Sequence, residues 1–436
     1  MRVSLRRTLT MTAACVSAVC AVCVLPMAAA APARTPAPLP ALAPLLGASA
    51  PNAIPGEYIV TLTPGSDPAR VAHDAGVTPH HLYQDAMLGF SAPLTEPQLA
   101  QVRALPQVRK VEQDTKVALP PQDRVPSPPR RLLPRPGAAP GHDGGHGTDG
   151  RTGPAATDAE LSAPGIFWGL ERISHRTPHT HGFTVKATGS KVTAYIIDSG
   201  IDFAHDEFGG RATPGIDEIG DGLDGEDCAG HGTHVAGTVG GAHAGIAREV
   251  RLVSVRVLDC DAAGPNSGII AGINWLARNA VKPAVANVSL GGMYSPAMND
   301  ALDGLARAGV FPVVAAGNDD INSCVISPAS ATEAFTVAAT DQADHLASFS
   351  NFGSCVNLTA PGVDIASAWP DGSYAMMSGT SMAAPHVTGI AALYKDTYGD
   401  APFDVVKKWL IAQATPNASA GAPWGTPTLL AFTGDL

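Results

Sequence analysis

Short apolar runs alternate with helical segments along residues 164–436 of this 436-residue chain. The runs are continuous and rich in β-branched residues, which is typical of parallel strands buried on both faces of a sheet. Strands are predicted at 192–197, 252–258, 284–290, 310–315 and 335–338, and helices at 231–239, 267–278, 296–308 and 381–394. This order predicts an α/β fold with a doubly wound parallel sheet.

Three separated segments each supply one residue of a nucleophilic catalytic set. Asp198 lies in the segment YIIDSG, His231 begins HGTHVAG, and Ser381 lies in SGTSMAAPH. A serine hydroxyl attacks at neutral pH when an imidazole takes its proton, and the imidazole needs a carboxylate to hold its tautomer and stabilise its charge. The segments therefore predict an acid, a base and a nucleophile, with Asp198 at the end of the first predicted strand.

The residues before this body divide into four parts. A basic start, an apolar stretch and small residues indicate a secretory signal peptide over 1–33, and an Ala/Pro-rich segment follows over 34–53. Residues 54–119 have the β-α-β-β-α-β order of a ferredoxin-like sandwich, with a closing strand pair predicted within 108–117. Proline and glycine dominate residues 120–163, which predicts a flexible linker because this composition cannot build a core.

The net charge of the chain indicates which kinds of molecule it can bind. The formal net charge is −11 at pH 7, with the acidic excess in the C-terminal body. An acidic body without a basic patch argues against a nucleic-acid partner. No stretch after the signal is long and apolar enough to span a bilayer, so we expect a secreted protein that leaves the membrane once the signal is removed. We also expect a monomer.

The cysteines agree with export. Seven occur, and the first three lie in the predicted signal peptide. An even number in an exported chain indicates disulfide bonds rather than free thiols. The residues alone leave all three pairings open among the remaining four, which are Cys228, Cys260, Cys324 and Cys355.

The three segments around Asp198, His231 and Ser381 resemble the catalytic motifs of the subtilisin-like serine proteases (subtilases). Within that family, the chain is most similar to the proteinase K and aqualysin group. Residues 54–119 resemble the inhibitory, chaperone-like propeptide of that family, with the landmarks PGEYIV and VEQD. The resemblance implies a secreted serine endopeptidase that hydrolyses peptide bonds through an acyl-enzyme. It also implies a self-processing zymogen, inhibited by its own propeptide, with protein and peptide substrates. The implied preference before the scissile bond is broad and mainly apolar or aromatic, and the chemistry requires no cofactor.

The resemblance assigns further residues to the cleft. Asn318, in VVAAGN, corresponds to the oxyanion-hole asparagine, which donates to the tetrahedral oxygen together with the backbone N–H of Ser381. The substrate-binding residues that it implies are Ser289, Leu290, Gly291, Gly292, Ala263, Gly264, Ala316 and Gly317. The disulfide pairs that it implies are Cys228–Cys260 and Cys324–Cys355.

One position departs from the family pattern and concerns a structural calcium. Asn357 stands where relatives usually place a calcium-binding aspartate, and a neutral amide weakens such a site. The resemblance implies a candidate calcium at Asn357, Thr332 and Ala334, the last two through backbone carbonyls. The acidic run at 217–227 is interpreted as a solvated loop, with a second calcium site or a preference for basic substrates as alternatives.

Other acidic residues and histidines near the motifs have less demanding interpretations. We interpret His234 and His386 as structural. We interpret Asp227 and Asp259 as loop residues because they lie outside the Asp-Ser-Gly context. The alternative function is a catalytically silent, protease-like binding scaffold. The complete set of motif residues favours the enzyme over the scaffold.

The site of maturation cleavage is less defined by the sequence. Pro120 follows Leu119 directly, and proline is a poor residue on the leaving side of a scissile bond. The alternatives are a cut at Arg130-Arg131 or one just before Leu161.

Overall fold

The computed structural model describes residues 42–119, 161 and 165–436. The predicted signal peptide (1–33) and the predicted linker (120–163, apart from Leu161) lie outside the described residues, as do residues 34–41. Within the described ranges, none of the helices is both long and apolar enough to cross a membrane.

A small domain of one sheet and two helices lies at residues 42–119. Its strands are β1 (Leu45–Leu46), β2 (Ala53–Leu62), β3 (His81–Tyr83), β4 (Gly89–Pro93) and β5 (Val108–Ala118), and its helices are α1 (Pro68–Asp74) and α2 (Glu96–Arg103). The sheet order is β1-β5-β2-β4-β3, and from β2 onward the elements follow the predicted β-α-β-β-α-β order.

Pairing partners distant in sequence change two features of this domain. The closing strand pair expected within 108–117 is wrong: β5 is one continuous strand, because its first half pairs with β2 and its last residues pair with β9 (Ala263–Pro265) of the C-terminal body. The end of the Ala/Pro-rich segment also joins the sheet, since β1 pairs in parallel with β5 and Ala53 begins β2.

Residues 165–436 form the predicted doubly wound body around a seven-stranded parallel sheet. In sheet order its strands are β15 (Leu358–Pro361), β14 (Phe335–Thr340), β12 (Val310–Ala315), β10 (Ala284–Val288), β6 (Thr193–Asp198), β8 (Arg251–Arg256) and β7 (Ala212–Asp217). The two edge strands, β15 and β7, were not predicted because their polar and proline-containing sequences lack the continuous apolar run of the central strands. Two short antiparallel pairs complete the strands: β11 (Gly292–Met293) with β13 (Ile326–Ser327), and β16 (Ile365–Trp369) with β17 (Ser373–Met377).

Helices cover both faces of the parallel sheet. They are α3 (Trp168–Ser174), α4 (His231–Gly240), α5 (Asn266–Asn279), α6 (Pro296–Arg307), α7 (Thr380–Tyr398) and α8 (Phe403–Gln413). Neighbouring residues of a strand point to opposite faces. Ile196 of β6 belongs to the apolar cluster that includes Val387 of α7, and Ile197 belongs to the one that includes Ile269 of α5 and Leu302 of α6. The carboxyl end of β6 therefore emerges between two fully packed layers.

Candidate active site

An acid and a base meet at the carboxyl end of β6. Asp198 is the last residue of β6, His231 is the first residue of α4, and both are buried. Asp198 Oδ1 accepts a hydrogen bond from His231 Nδ1 at 2.7 Å and another from the backbone N–H of Ser199 at 2.8 Å. A carboxylate only accepts, so the neutral imidazole carries its proton on Nδ1 and keeps Nε2 as the basic nitrogen.

A glycine immediately before the histidine allows α4 to begin this close to the strand. Gly230 has a φ of 91°, a left-handed conformation that favours glycine. A Cβ at this position would lie 2.3 Å from the ring of Trp369 in β16. A larger residue would therefore displace the first turn of α4, and His231 with it.

Asp227 orders the turn that precedes His231. Its Oδ1 accepts from Ser199 Oγ at 2.9 Å and from the N–H groups of Ala229 and Gly230 at 3.0 and 2.8 Å. Its Oδ2 accepts from the N–H and Oγ1 of Thr233 at 2.8 and 2.6 Å. Burial raises the pKa of Asp227, and the nearby Asp198 raises it further. The interpretation as a loop residue missed this role, because Asp227 lies three residues before the N-cap position of α4, which is Gly230.

The end of β10 holds the first turn of α7, which carries Ser381. Ser289 Oγ donates to the backbone carbonyl of Ser381 at 2.8 Å, and Ser381 Oγ donates to the carbonyl of Ser289 at 3.3 Å. Asn287 Nδ2 donates to Ser289 Oγ at 2.8 Å, and Thr388 of α7 donates to Asn287 Oδ1 at 2.9 Å. Because Ser381 lies at the start of a long helix, the helix dipole favours negative charge developing beside it.

The amide of Asn318 has a defined orientation. Its Oδ1 accepts from the backbone N–H of Thr380 at 2.9 Å and from Thr380 Oγ1 at 2.8 Å. A backbone N–H only donates, so the oxygen must face α7 and the amino group must face the other way. This arrangement presents a donor on the side of Asn318 that faces the cleft it shares with Ser381.

A cleft of about 500 Å³ lies beside Ser381 and Asn318. Among the predicted substrate-binding residues, Leu290, Gly291, Gly292 and Gly317 line it. Body residues that the sequence does not suggest also line it: Met293, Ala315, Asp319, Ile321, Ile326 and Thr380.

Two predicted substrate-binding residues lie behind the cleft wall. The Ser289 side chain is buried and directed to the Ser381 carbonyl. Ala316 packs in a small apolar cluster with Ala338 and Val356, and its carbonyl accepts from Asn351. Both positions support the wall instead of lining it, because side chains alternate in direction along extended backbone.

The remaining predicted substrate-binding residues, Ala263 and Gly264, contact the end of the N-terminal domain. Ala118 of β5 pairs with Ala263, and Val117 pairs with Gly264, in antiparallel register. Leu119 then donates its N–H to the carbonyl of Ala262 at 3.0 Å. The last described residues of the N-terminal domain therefore lie in the cleft as an extended strand.

Two carboxylates of β5 cap helices of the body. Glu112 accepts from Ser295 Oγ at 2.7 Å and from the N–H of Ala297, in the first turn of α6, at 2.8 Å. Asp114 accepts from the N–H and Oγ of Ser267, in the first turn of α5, at 3.0 and 2.6 Å. Burial raises the pKa of both carboxyl groups, whose charge complements the positive ends of the helix dipoles.

The acidic run at 217–227 is held by side-chain partners at several positions, so its interpretation as a solvated loop is wrong there, whereas Asp224 and Glu226 are exposed. The buried Arg256 donates to Asp217 at 2.8 Å and to both oxygens of Asp221 at 2.6 and 2.8 Å, and it lowers the pKa of Asp221 to about 2. Glu218 faces His81 of β3 at 3.5 Å, and burial, reinforced by Asp217, raises its pKa to about 7.

His234 and His386 have the structural contacts expected of them. His234 Nε2 donates to the carbonyls of Ile365 and Ala375 at 3.0 and 3.2 Å, and burial lowers its pKa to about 3. His386 Nδ1 donates to the Met382 carbonyl at 2.8 Å, and burial lowers its pKa to about 4. Both rings are therefore neutral at pH 7.

The side-chain oxygen of the candidate calcium ligand Asn357 accepts a hydrogen bond from the protein backbone. Asn357 Oδ1 accepts from the backbone N–H of Thr336 at 2.8 Å. In the described part of the chain, no group of three or more histidine, cysteine or acidic side chains is arranged to hold a metal ion. These contacts do not supply the charged oxygen set that calcium prefers, so calcium at Thr332, Ala334 and Asn357 stays a prediction and no chemical step is assigned to it.

Disulfide bonds join Cys228 to Cys260 and Cys324 to Cys355, with Cα–Cα separations of 4.9 and 5.3 Å. The first connects the turn before His231 to the loop that leads into β9. The second ties together the segments that follow Asn318. These are the pairs that the family resemblance implied.

Two family models match the chain. Residues 189–425 match the model of the subtilase family, and residues 57–120 match the model of the peptidase inhibitor I9. This chain belongs to the subtilase family. As a subtilase with such a propeptide, it is a serine endopeptidase whose residues 42–119 contain an inhibitor domain.

Named subtilases match over most of the chain. An extracellular serine proteinase of Thermus sp. (strain Rt41A) is 41% identical over 419 residues, covering 90% of this chain and 92% of that protein. An alkaline serine exoprotease A of Vibrio alginolyticus is 39% identical over 335 residues, covering 77% of this chain and 56% of that protein. The crystal structure of a cold adapted subtilisin-like serine proteinase aligns with a TM-score of 0.60 and 45% identity, covering 61% of this chain and 97% of the other.

Proposed function

We propose that this subtilase is an exported zymogen that cuts peptide bonds through an acyl-enzyme at Ser381. The observation that carries the proposal is the 2.7 Å hydrogen bond between Asp198 and His231 at the end of the sheet where Ser381 and Asn318 line one cleft. Export is supported by the signal-like N-terminus and by the extracellular relative from Thermus.

The geometry supports a role for each side chain. His231 Nε2 takes the proton of Ser381 Oγ as that oxygen attacks the substrate carbonyl carbon, and Asp198 stabilises the imidazolium that forms. The Asn318 amide and the Ser381 N–H stabilise the tetrahedral oxyanion. His231 then passes its proton to the leaving amine, which departs and leaves the acyl group on Ser381. In the second half, His231 takes a proton from the attacking water and returns it to Ser381 Oγ as the acyl group is released.

The walls of the cleft support a broad preference for apolar or aromatic residues before the scissile bond. Leu290, Ala315 and Ile326 supply apolar surface, and Gly291 carries no side chain that would narrow the cleft beside it. A chromogenic peptide series that varies this one residue measures the preference. A charged residue cleaved faster than leucine or phenylalanine would contradict it.

The cleft strand bears on where the precursor is cut. Leu119 is bound in the cleft, and the sequence continues with Pro120 and Pro121. The next two peptide bonds both have a proline nitrogen on the leaving side, which carries no N–H. We therefore propose a cut further along, at Arg130-Arg131 or just before Leu161, which N-terminal sequencing of the secreted product will test.

Replacement of the nucleophile tests the function itself. Ser381→Ala should reduce casein or peptide hydrolysis by about a millionfold, the loss known for the triad serine of a subtilisin. Ser378→Ala, three residues earlier in the same motif and bonded to the N–H of Asp364, is the matched control and should stay active. If the wild type freed of its propeptide were as inert as Ser381→Ala, the binding-scaffold alternative would replace the enzyme.

A further inference from the structure

The segment before the inhibitor-family match contacts the strand that enters the cleft. The match begins at residue 57, yet Leu45, Leu46 and Ala53 already belong to the same sheet. We refer to residues 42–53 as the N-terminal arm. Neither family model covers the arm, so its role has to be read from its contacts.

One end of the arm is fixed to the inhibitor domain. Leu45 and Leu46 form β1 and pair with Val111 and Glu112 of β5. Ala43 exchanges hydrogen bonds with Arg103 of α2: its N–H donates to the Arg103 carbonyl, and its carbonyl accepts from Arg103 Nε, each at 2.8 Å. The arm therefore follows β5 along its free edge.

A tight turn then directs the arm toward the cleft. Gly47 has a φ of 72°, and a Cβ there would lie 3.3 Å from the carbonyl oxygen of Gln113. The N–H of Ala50 donates to the Gly47 carbonyl at 3.0 Å, and that of Ala53 donates to the Ala50 carbonyl at 3.1 Å. The turn places Pro51 and Asn52 at the cleft itself.

Asn52 binds both backbone groups of one residue of the cleft strand. Its carbonyl accepts from the Lys116 N–H at 2.9 Å, and its Nδ2 donates to the Lys116 carbonyl at 2.8 Å. Backbone groups alternate in direction along a strand. The backbone groups of Lys116 therefore bond to the arm, whereas the N–H of Leu119 donates to the carbonyl of Ala262 in the peptidase body.

We propose that the N-terminal arm is a clamp that holds the inhibitory strand in the extended conformation that it has in the cleft, with Asn52 as its decisive contact. The clamp slows departure of residues 116–119 after the linker has been cut. This regulatory role rests on the proposed function, since it concerns access to the same cleft. The clamp acts in the uncut precursor and in the cut complex, and the mature enzyme lacks it because the arm leaves with the propeptide.

Full-length precursors carrying Asn52→Ala or Gly47→Ala test the clamp at two separate points. Gln101→Ala, on the exposed face of α2, and Gly65→Ala, another glycine of positive φ but with open space around it, are the matched controls. Each precursor carries the recognition sequence of a site-specific protease within 121–160. A parallel set of the same precursors also carries Ser381→Ala. The first readout is the lag before peptide hydrolysis, and the second is dissociation of the labelled propeptide from the cut Ser381→Ala protein.

Asn52→Ala and Gly47→Ala should shorten the lag and the dissociation half-time about fivefold, the effect of about one hydrogen bond, while the controls match the wild type. The final rate per active site should be the same in all, because the mature sequence is unchanged. Unchanged dissociation in both arm variants would overturn the clamp. A wild type that never gains activity would overturn the proposed function instead, and the dissociation readout would still decide the clamp.

Discussion

Two pairs of hydrogen-bonded carboxylates are built alike but serve opposite purposes. Asp198 and Asp227 accept hydrogen bonds from backbone N–H groups and side chains within the peptidase body. Glu112 and Asp114 also accept from backbone N–H groups and hydroxyls, but the donors belong to the body and the carboxylates to the propeptide. The same bonds therefore give permanent order when one domain supplies both partners, and a removable attachment when two domains share them.

The first way to break this comparison is to remove a permanent carboxylate. Asp227→Asn should lower kcat/KM about 100-fold, because the amide would turn its own N–H groups toward N–H donors and disorder the turn before His231. The measurement is the rate of peptide hydrolysis divided by the concentration of active sites found by titration. This gives kcat/KM of the folded enzyme and leaves out any misfolded fraction.

The control is Asp224→Asn, which makes the same change at an exposed position of the same loop. It should retain wild-type activity. Equal kcat/KM in both variants would show that the five hydrogen bonds of Asp227 do not position His231.

The removable pair should give a smaller effect of a different kind. Asp114→Ala leaves the first turn of α5 uncapped, so the propeptide should dissociate about tenfold faster while the mature enzyme stays the same. Dissociation of the labelled propeptide after linker cleavage measures it. Asp85→Ala, an exposed carboxylate of the same domain, should have no effect, and equal rates for the two would argue against the cap.

The smallest expected effect is on pH dependence. In the assembled protein the pKa of Glu218 is raised to about 7, so its stabilising contribution is complete below the ordinary glutamate pKa and is lost as pH rises through about 7. His81, opposite it, has a pKa lowered by burial, so its contribution is lost as pH falls. Propeptide release should therefore be slowest between these limits.

Above pH 7, the rise in the rate of propeptide release should be about threefold smaller in Glu218→Gln than in the wild type. The rise in the release rate at acidic pH should be unchanged. Asp217 and Tyr83 also face this carboxylate and are unchanged in the variant. The raised pKa values of Glu112 and Asp114 act in the same direction as Glu218 and remain as background. Glu249→Gln, an exposed glutamate of the body, is the control, and an identical pH profile for both variants would refute the assignment.

Local pattern was enough for the central strands, the main helices and the residues that meet at the cleft. Continuous apolar runs identified β6 and β10, and the motif around Asp198 lies at the end of a strand, where the fold places functional side chains. These features depend on neighbours in sequence, which a single chain displays directly.

Features that depend on distant partners were missed or misread. Asp217 and Asp221 look like solvated charges until Arg256, more than thirty residues later, is seen buried between them. Asp227 looks like a loop residue because its acceptor role is visible only when Ser199 and Thr233 are brought beside it. The strand β1 has too few residues to form a pattern, and it exists because β5 offers a free edge.

The continuity of β5 makes the propeptide a bivalent ligand of its own enzyme. One rigid strand carries both the helix-capping carboxylates and the residues that fill the cleft. When either attachment opens, the other keeps its partner at high effective concentration, so reassociation competes with escape. Inhibition should therefore depend on both attachments together, and the losses of binding free energy caused by mutations at the two attachments should add.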